Sequence, residues 1–257
     1  MNKIINNVSE FMTSVADFYD IICSPCSQER ITYYDRVIKK YYISNSLIQI
    51  MDLGCCTGET AKRLTGKNYE IDGIDISSGM IKMSRKKSAE NKSLNFFVAD
   101  MRSIHSIKQY DVVYCNCLEW LESYEDLESM LQSATSLLKK NGIIILDFPN
   151  SNNFLMNYSR FVASNAKVKN HVYYKLTRFN EENANRLHSS QIYIHVNKES
   201  KTIETYSCDL VWRIHHMKEV EYILKKLKLE IVETVGNYNE KSIEESLFVQ
   251  IIGKKVI

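Results

Sequence analysis

An acid followed by two spaced glycines, Asp52-Leu53-Gly54-Cys55-Cys56-Thr57-Gly58, carries the most chemical content of this 257-residue chain. The apolar run Ile48-Gln49-Ile50-Met51 leads into the acid and the chain then turns at once, which is how a strand feeds a tight loop. Gly54 and Gly58 admit backbone conformations that a Cβ forbids, and their missing side chains let main-chain N–H groups approach a ligand closely. Dinucleotides are cradled by a related loop, G-x-G-x-x-G, so the neighbouring residues must decide between ligands. Here the pattern is Asp-x-Gly-x-Cys-x-Gly. Position 59 is Glu, where close helix approach under a pyrophosphate wants Gly, and Asp52 stands where its carboxylate can meet a cation. Both features favour an amino-acid-bearing, sulfonium-type nucleoside over NAD.

Two more acids close two more apolar runs. Tyr69-Glu70-Ile71-Asp72-Gly73-Ile74-Asp75 ends on Asp75, roughly 20 residues past the loop, the separation at which a second-strand carboxylate takes a ribose hydroxyl pair. Leu94-Asn95-Phe96-Phe97-Val98-Ala99-Asp100-Met101 ends on Asp100. Any one strand-end Asp also reads as a helix cap or turn acid. Three of them in register with a glycine loop are better explained by one shared ligand.

These residues resemble motif I and the following acidic positions of the class I S-adenosylmethionine-dependent methyltransferases. Cys56 replaces a glycine preferred by that family, a change a small side chain tolerates if the backbone there keeps φ < 0. The resemblance implies a cofactor site built from Asp52, Gly54, Cys55, Cys56 and Gly58, with Asp75 and Ile76 at the ribose, Asp100 and Met101 at the adenine, and Met80 and Asn116 beside them. Over the whole chain the likeness is to the small-molecule subset of glycine/sarcosine-type and amino-sugar N-methyltransferases. In that subset an N-terminal helix carries a Tyr-Asp pair, matched by Tyr19-Asp20, which makes Tyr19 a cofactor contact; Tyr33 is a candidate from the next helix.

The loop after the fourth strand, Tyr114-Cys115-Asn116-Cys117-Leu118-Glu119-Trp120, must face the transferable methyl group. It lacks the Asn/Asp-Pro-Pro-aromatic motif of enzymes that methylate exocyclic amines of nucleic acids. Glu119 is a candidate base or amine holder and Trp120 a candidate pocket wall, against the plainer readings of a solvated loop acid and a packing residue. Tyr206 and His215 complete the substrate-pocket candidates. His188 and His195 read as strand residues, and His215-His216 as a cap or turn before a helix. No catalytic residue is assigned, and none is required if the acceptor is an amine that arrives neutral.

Apolar spacing sets the frame that must hold these residues. Helical patterns cover Val8 to Asp20 and Gln28 to Tyr42; strand and helix then alternate as strand 47–53, helix 59–65, strand 69–76, helix 78–90, strand 94–99, strand 110–116, helix 124–138 and strand 143–148. This alternation predicts an α/β fold with a Rossmann-like, mostly parallel sheet of seven strands. After Pro149 the pattern changes to three strands, Val172 to Phe179, Arg186 to Val196 and Lys201 to Ile214, an antiparallel β-meander rich in aromatics such as Tyr173, Tyr193 and Trp212. A helix at Met217 to Leu227 and strands at Leu229 to Val235 and Leu247 to Lys254 return to the core, the last strand antiparallel. The expected division is 1–46 for helices covering the cofactor site, 47–150 for the S-adenosylmethionine-binding core, 151–214 for a substrate-recognising lid and 215–257 for the rest of the core sheet.

Composition narrows the partners. Lys plus Arg number 33 against 31 for Asp plus Glu, so there is no global pull toward nucleic acid or membrane. No apolar run approaches the ~20 residues that span a bilayer, and the N-terminus lacks a signal peptide's apolar core. Seven cysteines suit reduced thiols, and Cys23-Ser24-Pro25-Cys26 lacks a second pair or nearby histidines for zinc, so no metal is expected and a proline-bearing turn is. The expectation is a cytoplasmic monomer or homodimer that moves a methyl group from S-adenosylmethionine to nitrogen or oxygen of a small molecule, leaving S-adenosylhomocysteine. The alternatives are an RNA or protein methyltransferase and a non-catalytic S-adenosylmethionine sensor. An NAD-dependent oxidoreductase is disfavoured by the missing third glycine and by Asp100.

Overall fold

The computed structural model describes residues 2–23, 26–42, 46–64, 68–183, 185–239 and 242–256. The turn expected at Ser24-Pro25 lies outside the described residues. The N-terminal elements are β1 (Asn2–Ile4), α1 (Val8–Val15), α2 (Tyr19–Cys23) and α3 (Gln28–Tyr41). Then follow β2 (Ile48–Leu53), α4 (Glu59–Leu64), β3 (Tyr69–Asp75), α5 (Ser78–Lys87), β4 (Leu94–Val98), β5 (Tyr110–Cys115), α6 (Tyr124–Leu137) and β6 (Leu138–Pro149). The second half holds α7 (Ser151–Asn157), β7 (Phe161–Val168), β8 (His171–Asn183), β9 (Arg186–Asn197), β10 (Thr202–Arg213), α8 (Met217–Lys226), β11 (Leu229–Gly236) and β12 (Phe248–Lys255).

Seven strands form the main sheet in the order β11-β12-β6-β5-β2-β3-β4. The five from β2 to β6 run parallel, and β12 is antiparallel to both β6 and β11. The middle strands read as unbroken apolar runs because both of their faces are covered: Ile143, Ile144, Ile145 and Leu146 of β6 are all fully buried. Side chains of α6 and α8, among them Leu127, Leu131, Val220 and Ile223, cover one face. Ile31, Tyr34 and Ile38 of α3, with Leu64 of α4 and Ile81 of α5, cover the other. The chain runs outward from β2 through β3 to β4 and then crosses back to β5, which places the switch in strand order between β2 and β5. Ligands bind in such sheets beyond the carboxyl ends of the strands at that switch.

The expected helix from Val8 to Asp20 is interrupted: α1 stops at Val15, a 3-10 turn covers Ala16–Phe18, and α2 begins at Tyr19. The break turns Phe18 toward the second sheet, where its ring stacks on Tyr173 at 5.3 Å. That sheet has the order β1-β10-β9-β8-β7, with four antiparallel strands and β1 added in parallel to β10. The three expected strands of the meander are present, β8 extended to Asn183, β9 longer by one residue and β10 shorter by one residue at each end, and β1 and β7 are additional. The side chains of β7 are mostly exposed, so it lacks the alternating apolar pattern that would have marked it. Phe11, Val15, Phe18, Ile22 and Met80 pack with Tyr173, Tyr193, Tyr206 and Leu210 in a third core between the N-terminal helices and the second sheet. Among the described residues no helix is long and apolar enough to cross a membrane.

Candidate active site

A cavity of about 740 Å³ lies beyond the carboxyl ends of the parallel strands. Asp52, Asp75 and Asp100, the acids read from three strands, line it together with Gly54, Cys55, Cys56, Ile76, Met101, Asn116 and Tyr19. Glu119 and Trp120 line it as well. The volume falls within the few hundred to 1,000 Å³ of ordinary small-molecule sites.

Asp75 organises the loop. Its Oδ2 accepts from the backbone N–H of Cys56 at 2.9 Å and its Oδ1 from that of Ser77 at 2.9 Å. Burial raises its pKa from the usual carboxylate range, opposed by those two hydrogen bonds. Asp52 is almost wholly buried, accepts from Tyr114 Oη at 2.8 Å, and is pushed up to about 7, chiefly by loss of water. Asp100 is held below its ordinary range by the Arg102 side chain, which also reaches Asp126 at 2.7 Å. The tie of the second strand-end acid to the first loop accounts for the close spacing of these groups.

Gly54 and Gly58 both have φ of +73°, but they serve different ends. A Cβ on Gly54 would clash with Cys117 Sγ, so the bare backbone lets the loop after β5 close against the loop after β2. At Gly58 the obstruction is Phe96 and Ser84, and the residue does not line the cavity; its bareness serves packing of the loop on β4 and α5. Cys56 also has positive φ, +52°, against the expectation of φ < 0. Its N–H is fixed by Asp75 and its Sγ lies 3.6 Å from Met80 Sδ, contacts that hold a side chain in a region where Cβ is disfavoured.

The N-terminal helices close over the loops through polar latches. Thr57 Oγ1 donates to Asp20 Oδ1, Lys87 pairs with Asp20 at 2.5 Å, and Ser9 Oγ donates to the carbonyl of Ile76 at 2.9 Å. Asp20 of the Tyr-Asp pair thus fastens α2 to the glycine loop while Tyr19 faces the cavity. Burial raises the Tyr19 phenol well above its ordinary value.

Four other candidates lie outside the cavity lining. Met80 is fully buried beneath Cys56. Tyr33 packs in the core against Tyr34 and Tyr238 and donates to Glu233 at 3.5 Å. Tyr206 packs 6.0 Å from Phe18 in the third core. His215 is buried, with Nε2 3.0 Å from the carbonyls of both Leu118 and Leu121 and Nδ1 facing Arg213. Burial, with Arg213 beside it, lowers its pKa to about 4, so the neutral ring donates through Nε2 and pins the 3-10 turn Leu118–Trp120 that carries Glu119 and Trp120.

Sequence reasoning missed the far wall. Arg30 of α3, Asp147 and Pro149 of β6, and Phe248 of β12 line the cavity. Arg30 Nε donates to Asp147 Oδ2 at 3.0 Å, and Tyr238 Oη and Gln250 Nε2 donate to the same carboxylate, each at 2.8 Å. The nearest available signal was Asp147, an acid ending the apolar run 143–146 as Asp52 ends its own. None of the described residues from 151 to 214 lines the cavity. The second sheet reaches it indirectly, through Trp212, whose ring lies 5.7 Å from that of Trp120, and through the N-terminal helices.

The sheet order, the antiparallel last strand and the acids around a glycine loop define a class I S-adenosylmethionine-dependent methyltransferase fold. Residues 50–142 match the methyltransferase domain family. The Bacillus subtilis protein YqeM, which bears the name of a methyltransferase, is 34% identical over 106 residues, 40% of this chain and 43% of its own length. The chain spans about half the length of the curated relatives it matches. Among solved structures, an S-adenosylmethionine-dependent methyltransferase from Clostridium acetobutylicum superposes with a TM-score of 0.75 at 17% identity, covering 94% of this chain and 97% of that one. A sugar N-methyltransferase from Streptoalloteichus sp. gives 0.77 at 12% identity, covering 98% and 94%.

The cofactor of this class, S-adenosylmethionine, fits the residues present. Acids stand at three strand ends, the loop backbone is bare at Gly54 where a Cβ would clash, and the two lining arginines, Arg30 and Arg102, are each paired with carboxylates. Replacing Cys56 by Gly is then expected to leave cofactor affinity within a few-fold and stability within about 1 kcal/mol. Relief of the positive φ gains roughly 1 kcal/mol, and loss of the packed thiol costs a similar amount. Calorimetry and denaturant midpoints measure both; a loss beyond about 3 kcal/mol would show that thiol packing dominates.

Proposed function

We propose that the protein is an S-adenosylmethionine-dependent methyltransferase acting on nitrogen or oxygen of a small molecule. The observation that carries this reading is the convergence of Asp52, Asp75 and Asp100 on one cavity that Glu119 and Trp120 also line. In the proposed arrangement Asp75 takes the ribose hydroxyls, Asp100 and Met101 flank the adenine, and Tyr19 with the 54–56 backbone borders the amino-acid end. When bound, the cofactor supplies a methyl carbon already activated by a sulfonium. The chain's own contribution is then to orient the acceptor and exclude water, which supplies much of the acceleration in such displacements.

Eight of the cavity's lining residues are Asp or Glu and two are Arg, so the field suits a cationic ligand such as a sulfonium. The same field supports a small acceptor over a nucleic acid, whose phosphates it repels. The likeness of the fold to a sugar N-methyltransferase is in keeping with a small acceptor. Isothermal calorimetry tests the reading. S-adenosylmethionine and S-adenosylhomocysteine are expected to bind while NAD and NADP do not; nicotinamide binding with no response to S-adenosylhomocysteine would overturn it.

A further inference from the structure

Glu119 is the buried charge in the cavity that nothing accounts for. Its Oε2 is out of contact with water and has no hydrogen-bond partner among the described residues. Its own backbone N–H donates to the carboxyl group. An unpartnered carboxyl oxygen is costly to bury, so its persistence at a ligand cavity calls for a partner that arrives with the ligand.

The neighbours leave that place open to a cation. Arg30, from α3, is committed to Asp147 and Tyr238, so the nearest positive charge already has its own counterion. Asp147, from β6, is held by Arg30, Tyr238 and Gln250. Beside it the Cys117 thiol is kept protonated by Cys115 and burial, and His215 beneath the turn is neutral. The second cavity cation, Arg102, is paired with Asp100 and Asp126. Trp120 and Phe248 add apolar surface to the same cavity.

We propose that Glu119 seats the acceptor as a protonated amine: Oε2 receives an ammonium N–H and then its proton, making the acceptor an aliphatic amine rather than an alcohol. The inference rests on the methyltransferase reading and narrows it. The proton passes from nitrogen to Oε2, the N–H bond breaking as the O–H bond forms, and both groups end neutral with a free lone pair on nitrogen. An aliphatic hydroxyl holds its proton far too tightly for a carboxylate to remove it, so the same group offers an alcohol no comparable help. Burial supports the proton transfer by pushing the Glu119 carboxyl up to about 7. The turn that aims Glu119 is fixed from below by His215.

The test uses the full chain saturated with S-adenosylhomocysteine, titrated with benzylamine or its isostere benzyl alcohol at pH 8. Benzylamine is expected to bind at least about tenfold more tightly, the scale of one hydrogen bond to a charged group. In Glu119→Gln the preference should fall to within about threefold while S-adenosylhomocysteine affinity is kept. In the native protein it should shrink at pH 6, where Glu119 takes up a proton while benzylamine stays cationic. Asp52 titrates in the same range, so the pH change is measured in Glu119→Gln too, where the preference should no longer move. Equal binding of the two probes, or an amine preference that survives in Glu119→Gln, would overturn the proposal and leave the methyltransferase reading intact. Failure of the native protein to bind S-adenosylhomocysteine would overturn both. If the glutamine variant does not fold, Glu119→Ala takes its place in both comparisons, with the same loss of amine preference expected and its survival overturning the proposal.

Discussion

Asp75→Ala is expected to weaken S-adenosylhomocysteine binding by roughly 1.5–3 kcal/mol, tenfold or more, the range for losing hydrogen bonds to a charged group. Two effects add. The proposed ribose clasp disappears, and the backbone N–H of Cys56 loses the acceptor that fixes the glycine loop. From its position at the end of an apolar run, Asp75 would be taken for a cleft acid of little consequence for folding. Its bonds to Cys56 and Ser77 change that expectation, because alanine would strand two backbone donors in a largely dry site. Stability should therefore fall as well, by about 1–3 kcal/mol.

Asp75→Asn separates the contributions, since its amide oxygen retains one acceptor for the loop while the negative charge at the ribose is lost. It should be the more stable of the two variants and still bind weakly. Calorimetry for affinity and denaturant midpoints for stability measure the two effects side by side. A folded Asp75→Ala protein with native affinity would refute the assignment.

The legible part of this site was the part written locally. Each of Asp52, Asp75 and Asp100 follows an apolar strand, and strand alternation fixes which end of the sheet they share. The core strands were legible for the same reason: 143–146 is too apolar to have an exposed face. Arg30 and Asp147 were not legible because their pairing joins α3 to β6 across 117 positions, and no local pattern records it. Cys56 shows another limit. A glycine-like φ at a non-glycine residue depends on the Asp75 carboxylate 19 positions away. His215 carries a turn signal, but the groups it holds, Leu118 and Leu121, lie more than 90 positions earlier. The interrupted N-terminal helix is a tertiary effect too, since the third core takes Phe18 on one side while Tyr19 faces the cavity.

Excising the second sheet, by joining Tyr158 to Ile214 through a short loop, is expected to reduce S-adenosylhomocysteine affinity by more than tenfold. Were the sheet a detachable substrate lid, cofactor binding would survive its removal, since recognition and cofactor sites would rest on separate elements. The packing argues otherwise. Phe11, Val15, Phe18 and Ile22 of the N-terminal segment are buried against Tyr173, Tyr193, Tyr206 and Leu210 of the second sheet, and β1 is hydrogen-bonded to β10. Uncovering each large apolar side chain costs roughly 1.5–3 kcal/mol, and four of them together exceed what the remaining polar latches contribute. Thr57–Asp20 and Lys87–Asp20 are partly exposed bonds of the kind worth about 1 kcal/mol or less each. Without the sheet, α1 and α2 should undock, taking Tyr19 from the cavity and opening the glycine loop to water. Limited proteolysis should then cut the excised protein between residues 8 and 23 while the native chain resists there. A truncated protein that keeps this segment protected and binds S-adenosylhomocysteine within tenfold of the native affinity would show that the N-terminal helices stand on the core alone, and would return the second sheet to the status of a separable lid.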